Sequence, residues 1–233
     1  MKVEIWSDIF CPFCYIGKRR FEAALEKFDN SLEVEVIYRS FELNPSSPKH
    51  YEEDIHALIA SKYGMSYEEA KLNNDNIIKQ AATLGLTYNF DTLIPTNSFD
   101  AHRMIHFANK YRKMEEMTEG LFKAYFTDSK DVSDYEILAN IVASIGLDKE
   151  EALEVLNNND YEESVRRDEK RGSQLGITGV PFFVFNDKFA VSGAQSTDIF
   201  LNALNKVLED EKISVALNNE NSVNICTDGY CKN

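Results

Sequence analysis

Asp8-Ile9-Phe10-Cys11-Pro12-Phe13-Cys14-Tyr15-Ile16-Gly17 lies where one periodicity gives way to another. Before it, Lys2-Val3-Glu4-Ile5-Trp6 alternates polar and apolar residues as a short strand does; after it, Phe21, Leu25 and Phe28 recur at helical spacing. The two cysteines therefore stand at a strand-to-helix junction. A cysteine just ahead of a helix has its sulfur facing unpaired backbone N–H groups and the positive end of the helix dipole, which favours thiolate over thiol. Pro12 falls in the first turn, where a missing N–H costs nothing. The two residues between the cysteines place the thiols one turn apart, close enough to join. Cys11 is the better placed nucleophile and Cys14 the resolving thiol. A bare C-x-x-C is equally half a zinc site. The strand in front and the helix behind favour redox chemistry, because a zinc knuckle more often presents its cysteines from a tight turn between short strands.

At 233 residues the chain can hold one large domain or a domain with a sizeable insertion. A net charge of −14 sets the overall field against phosphate, so neither nucleic acid nor membrane is expected as a partner. The start shows no basic segment followed by an apolar run, and no window approaches eighteen apolar residues. The expected compartment is cytoplasmic, where structural disulfides are rare and a C-x-x-C reads as catalytic. All four cysteines fall into two close pairs, Cys11 with Cys14 and Cys226 with Cys231.

After the first helix, Asp29-Asn30-Ser31 signals a turn and residues 32–38 alternate as a second strand, giving β-α-β within forty residues. A right-handed crossover lays the two strands parallel. Asn44-Pro45-Ser46-Ser47-Pro48 breaks the pattern, and from there to Gly176 the signals are helical. Ser66 with Glu69, Ser133 with Glu136, Asp148 with Glu151 and Asp160 with Glu163 have capping-box spacing. Gly64, Gly85 and Gly146 stand at helix ends. Phe182-Phe183-Val184-Phe185 reads as a strand buried on both faces, turned by Asn186-Asp187-Lys188 into a hairpin with Phe189-Ala190-Val191-Ser192. An amphipathic helix from about Ile199 fades near Ile213 into a polar tail.

The order β-α-β, then Gly179-Val180-Pro181 into β-β-α, with Cys11-Pro12-Phe13-Cys14 heading the first helix, resembles the thioredoxin superfamily. The helical insertion narrows this to DsbA-like proteins. The stretches 40–45 (Ser-Phe-Glu-Leu-Asn-Pro), 97–103 (Asn-Ser-Phe-Asp-Ala-His-Arg), 179–184 and 191–195 resemble the cytoplasmic FrnE-like branch. The resemblance runs to about residue 210. It implies an α/β, thioredoxin-like fold with a large all-helical insertion between the β-α-β and β-β-α halves. The boundaries expected are 1–45 and 176–213 for the thioredoxin-like halves, 46–175 for the inserted helical domain and 214–233 for a C-terminal extension. It implies a protein disulfide oxidoreductase with Cys11 and Cys14 catalytic. Pro181 would be a cis proline packed against the C-x-x-C, and the Val180 backbone would be offered to an extended substrate segment. The expected partners are a disulfide- or thiol-containing protein or peptide and a thiol reductant or oxidant. No metal and no cofactor beyond the cysteines is expected, with glutathione a candidate co-substrate.

Cys226-Thr227-Asp228-Gly229-Tyr230-Cys231 sets a turn between two thiols, and some FrnE-like proteins resemble it in carrying such a second pair. Read as a flexible tail, the thirteen residues from Ile213 to Cys226 span roughly 20 Å on average and about 43 Å when taut, against a radius of gyration of about 17 Å. The pair is thus an auxiliary redox candidate, set against two thiols that oxidise incidentally. His102 and His106 have metal-site spacing but no third ligand in view and read as structural, while by resemblance His102 and Arg103 would line the groove. Arg166, Arg167, Lys170 and Arg171 read as a solvated helix face paired with Glu162 and Glu163. Pro-Phe between the cysteines lacks the histidine of strong oxidants in the superfamily. A potential between those of DsbA, about −120 mV, and thioredoxin, about −270 mV, is expected. Two other readings stand beside the oxidoreductase. One is a glutathione-dependent isomerase or transferase of the 2-hydroxychromene-2-carboxylate isomerase type, whose members carry Ser where Cys11 stands. The other is a zinc-stapled binding protein using all four cysteines.

Overall fold

Strand β1 (Lys2–Ser7) is buried on both faces, although its residues alternate in polarity. The reason is Glu4. Its side chain is fully buried yet ion-paired with Lys2, with Arg39 of β2 (Glu35–Ser40) and with Arg171 of a helix packed on that face. The computed structural model describes residues 1–29 and 34–223. The expected turn residues Asn30 and Ser31, the first two residues of the expected second strand, and Cys226 and Cys231 all lie outside that range. Within it β2 runs to Ser40, two residues beyond the expected end, because Ser7 of β1 still pairs with Ser40.

The sheet has the order β2-β1-β3-β4, with β3 Phe182–Phe185 and β4 Phe189–Ser192. β1 pairs parallel with β2 in the register Val3 to Val36, and antiparallel with β3, Ile5 opposite Phe183. The β3-β4 hairpin turns at Asn186 and Asp187, both at positive φ as a tight primed turn requires. This is the thioredoxin-like α/β order the motifs imply. Helices α1 (Pro12–Glu26) and α9 (Thr197–Val223) pack together over one face of the sheet. There the Phe21 ring meets Phe183, Phe185 and Phe200 at 5.5, 6.2 and 5.6 Å.

Between the halves lie α2 (Ile55–Tyr63), α3 (Tyr67–Ala82), a 3-10 turn (Phe90–Thr92) and α4 (Phe99–Asn109). Then come α5 (Met114–Phe122) with a π-turn (Lys123–Thr127), α6 (Tyr135–Ser144), α7 (Lys149–Leu156) and α8 (Glu162–Gln174). Ser66 and Glu69 form the expected reciprocal cap, and Asp148 accepts from the Glu151 N–H. Two start signals sit one residue away from the real cap. Asp134, not Ser133, caps α6, because Ser133 is engaged with Asp131. Tyr161 at φ 65° precedes α8, while the Asp160 carbonyl accepts from Arg103. One continuous apolar core joins the sheet to the inserted helices, from Ile5 and Phe21 to Met104, Leu121 and Leu138. α8 lies on the other face of the sheet, against β2, with Trp6, Val184 and Ile177 clustered there.

Two expectations need correction. The basic cluster of α8 does not pair with Glu162 and Glu163: Arg166 pairs with Glu42 and Glu169, and Arg171 with Glu4 and Asp187. Glu42, Glu4 and Asp187, brought up by the fold, together with Glu169 one turn further along α8, take the guanidinium groups instead. The last helix does not end near Ile213 but runs to Val223. No Gly or Pro stops the chain at Ile213, so the stretch to Val223, read from sequence as flexible tail, is helix.

Candidate active site

Cys11 is the N-cap of α1, in extended conformation, and Pro12 is the first helical residue. Its N–H donates to the Asp8 carbonyl at 3.0 Å, and its carbonyl accepts from the Cys14 N–H at 2.9 Å. The Cys11 side chain caps nothing; Sγ donates instead to the Val180 carbonyl at 3.5 Å. The Val180-Pro181 peptide is cis. Gly17 explains how α1 comes so near: a Cβ there would meet Pro181 Cγ at 3.0 Å and the Phe183 ring at 3.5 Å. Cys11, Cys14, Val180 and Pro181, far apart in sequence, thus share one place.

The two thiols, both free, differ in environment. Cys11 is 5% exposed beside Phe13, which is 41% exposed, whereas Cys14 is 2% exposed. Burial pushes the Cys14 thiol well above its ordinary value, and neighbouring Cys11 adds to the rise. The Ser7 hydroxyl and the Asp8 backbone pull the other way without prevailing. A buried thiol that resists ionisation suits the second thiol of a pair rather than the first.

The inserted helices supply one wall. Tyr88 donates its hydroxyl to the Pro12 carbonyl at 2.8 Å and stacks on Phe126 at 4.5 Å, while Tyr15 stacks on Phe122 at 4.8 Å and Phe10 packs on Tyr125 at 4.8 Å. Asp8 anchors the approach to Cys11: one carboxylate oxygen accepts from the Phe10 N–H at 3.2 Å, the other from the Leu43 N–H at 2.6 Å. Neither Tyr88 nor Asp8 was singled out by sequence. Asp8 carries a legible signal, an aspartate two residues before the N–H it accepts from; Tyr88 bonds across 76 positions and carries none.

His102 and His106 face different carboxylates, Asp8 at 3.6 Å and Asp168 at 3.1 Å. Arg103 does not line the groove. Its buried guanidinium binds Asp100 and the Val155, Asn158 and Asp160 carbonyls, closing the end of α7. Among the described residues no three His, Cys, Asp or Glu side chains are grouped as metal ligands. No helix among them is long and apolar enough to cross a membrane.

Residues 2–205 match the model of the DSBA-like thioredoxin domain. The chain belongs to this DsbA-like family. It is 31% identical over 212 residues to YwbO of Bacillus subtilis, covering 90% of this chain and 96% of that one. The structure of a probable DsbA oxidoreductase from Streptomyces coelicolor superposes with a TM-score of 0.86 at 42% identity, over 90% of each chain. Two more distant structures share the DsbA-like fold alone. A 2-hydroxychromene-2-carboxylate isomerase has a TM-score of 0.67 at 15% identity, over 91% of this chain and 98% of that one. The cytosolic disulfide reductase DsbM of Pseudomonas aeruginosa, in a structure with GSH, has a TM-score of 0.65 at 14% identity, over 90% of this chain and all of that one.

Proposed function

We propose that the protein is a cytoplasmic thiol-disulfide oxidoreductase of the FrnE-like branch, acting on protein, peptide or small-molecule disulfides through Cys11 and Cys14. The observation that carries this reading is the meeting of Cys11 Sγ, at the mouth of α1, with the Val180 carbonyl beside cis Pro181, while Cys14 lies buried behind. Family membership supports the reaction class.

The Cys11 thiolate attacks one sulfur of a substrate disulfide; that S–S bond breaks and the electron pair leaves on the other sulfur. Cys14 then attacks the Cys11 sulfur, forming the Cys11-Cys14 disulfide and releasing the second substrate thiolate. Substrate is reduced by two electrons and the pair oxidised by two; a thiol reductant, with glutathione the candidate, resets it. An oxidant drives the same steps backward. Val180 is the site where an extended peptide would lay its backbone, displacing the Cys11 thiol from the carbonyl.

The isomerase alternative rests on a shared fold, and retention of both thiols speaks against it. Turnover of a disulfide-linked peptide by single-cysteine variants tests the reading. Cys14→Ser is expected to accumulate a mixed disulfide at Cys11, and Cys11→Ser to be inactive. Turnover by Cys11→Ser overturns it, and zinc bound tightly by four thiols would favour a stapled binding protein. The auxiliary pair Cys226 and Cys231 is proposed, from sequence alone, to exchange disulfides with Cys11 and Cys14. Unchanged turnover in Cys226→Ser/Cys231→Ser would remove that role.

A further inference from the structure

The last helix decides where the tail pair of cysteines can act. β1 and β4 are both antiparallel to β3, so they point the same way, and α1 and α9 each follow one of them back over the same face of the sheet. The two helices meet early in α9: Arg20 Nη1 donates to the Ala194 carbonyl at 2.5 Å, and the Phe21 and Phe200 rings are 5.6 Å apart. By Glu211 the helix has come to the opposite end of the sheet from Cys11. There the Glu211 carboxylate accepts from the Asn186 amide at 2.6 Å and stands 3.7 Å from the amino terminus of Met1, and Asn186 in turn accepts from the Lys2 N–H at 2.7 Å. α9 then runs on to Val223.

Ten of the thirteen residues from Ile213 to Cys226 are therefore helix rather than flexible chain. At about 1.5 Å per residue, Phe200 to Val223 measures about 35 Å, and Cys11 lies about 15 Å back along α1 from Phe21. Since both helices lead away from the cysteines, Cys11 and Val223 are about 38 Å apart for axes at right angles and about 50 Å apart for parallel ones. Cys226 and Cys231 follow outside the described residues, three and eight positions past Val223. Chain pulled straight adds about 11 and about 29 Å, and a disulfide closes about 7 Å more between Cα atoms. Both cysteines fall short of their own Cys11, even along a line drawn through the body of the protein.

We infer that Cys226 and Cys231 serve the Cys11-Cys14 pair of a second copy of this chain, to which α9 holds them out, and not their own. This rests on the oxidoreductase reading and on the exchange proposed for the tail pair. A second copy is the partner because each chain carries both pairs, so what one chain cannot join within itself two chains join between them. A tail thiolate attacks the Cys11 sulfur of the other chain; the Cys11-Cys14 bond breaks and its electron pair leaves on Cys14, which takes up the proton that the tail thiol gave up. The second tail thiolate then attacks the tail sulfur of that mixed disulfide, closing Cys226-Cys231 and releasing Cys11. One active site is reduced by two electrons and one tail pair is oxidised by two. Two chains that each carry −14 repel, so salt speeds their encounter, whereas a contact within one chain has no such encounter to speed.

The test mixes two full-length variants. Cys226→Ser/Cys231→Ser enters with its active site oxidised, and Cys11→Ser/Cys14→Ser with its tail pair reduced; acid quenching, alkylation and mass spectrometry count the thiols on each. Transfer is expected at a rate proportional to each concentration, rising severalfold between about 20 and about 500 mM salt. In Cys14→Ser/Cys231→Ser and in Cys14→Ser/Cys226→Ser, oxidised by diamide, the peptide joining Cys11 to the remaining tail cysteine is expected in the covalent dimer and not in the monomer. Where replacing Cys14 prevents folding, Cys11→Ser alone supplies the reduced tail, and the rate in the mixture decides. Joining within the monomer overturns this inference and leaves the exchange. No joining in either species, with no transfer in the mixture, overturns the exchange and this inference with it. Disulfide turnover by Cys226→Ser/Cys231→Ser reads the oxidoreductase separately from both.

Discussion

Glu4 shows how little a residue's type says about where it ends up. It occupies the polar position of an alternating strand, yet its side chain is fully buried. Burial alone would raise its pKa, but Arg171, Arg39 and Lys2 together hold it down from 4.5 to about 2. A carboxyl depressed in the folded state adds stability that is whole above its unfolded value and is lost as pH falls toward its folded one. The Glu4→Gln variant should therefore be less stable by about 3 kcal/mol at neutral pH, because it leaves two guanidinium groups short of a partner. In urea unfolding that gap should be constant above pH 4.5 and narrow as pH drops toward 2; a gap that does not narrow would deny Glu4 the role. Cys14 is the opposite case, a thiol that burial pushes up. Alkylation of Cys14 in the Cys11→Ser variant should stay slow until pH passes its ordinary value of 9.0. Rapid labelling at neutral pH would contradict the burial argument.

Elements were legible where the signal is local. The capping box at Ser66, the positive-φ glycines at 64, 85 and 146 and the β3-β4 hairpin stand where spacing and turn chemistry put them. The exceptions, Asp134 for Ser133 and Tyr161 for Asp160, arose where a neighbouring contact claimed the expected residue. The packing of α8 on the sheet carried no local signal at all. It depends on Gly172, where a Cβ would come within 2.8 Å of Trp6 Nε1. That nitrogen donates to the Asp168 carbonyl at 3.0 Å, and a rigid indole ring cannot step aside. Gly172→Ala should cost about 1–3 kcal/mol and shift the Trp6 emission. An unchanged melting temperature would show the helix free to slide.

Across the whole molecule, the site is a joint of three parts: the β1-α1 corner with its cysteines, the Val180-Pro181 turn before β3, and the aromatic wall of the inserted helices. Trp6 reports on this joint. It belongs, with Ile177 and Val184, to the cluster on which Val180 packs, and the Val180 carbonyl holds Cys11 Sγ. Its fluorescence is expected to change when dithiothreitol reduces the oxidised protein, and Cys11→Ser should abolish the response. An identical spectrum in both redox states of the wild type would speak against a disulfide forming there.

By itself the sequence determined the order β-α-β, helices, β-β-α, the junction that carries Cys11 and Cys14, and the hairpin turn, because each rests on periodicity or turn chemistry within a few residues. The tertiary structure alone decided which side chains meet. It brought Tyr88 to Pro12, His102 to Asp8, Arg171 to Glu4 and Val180 to Cys11, contacts that span from 76 to 169 positions. Such pairings follow from how one shared core seats the helices on the sheet, and no stretch of chain short enough to show a pattern contains both partners.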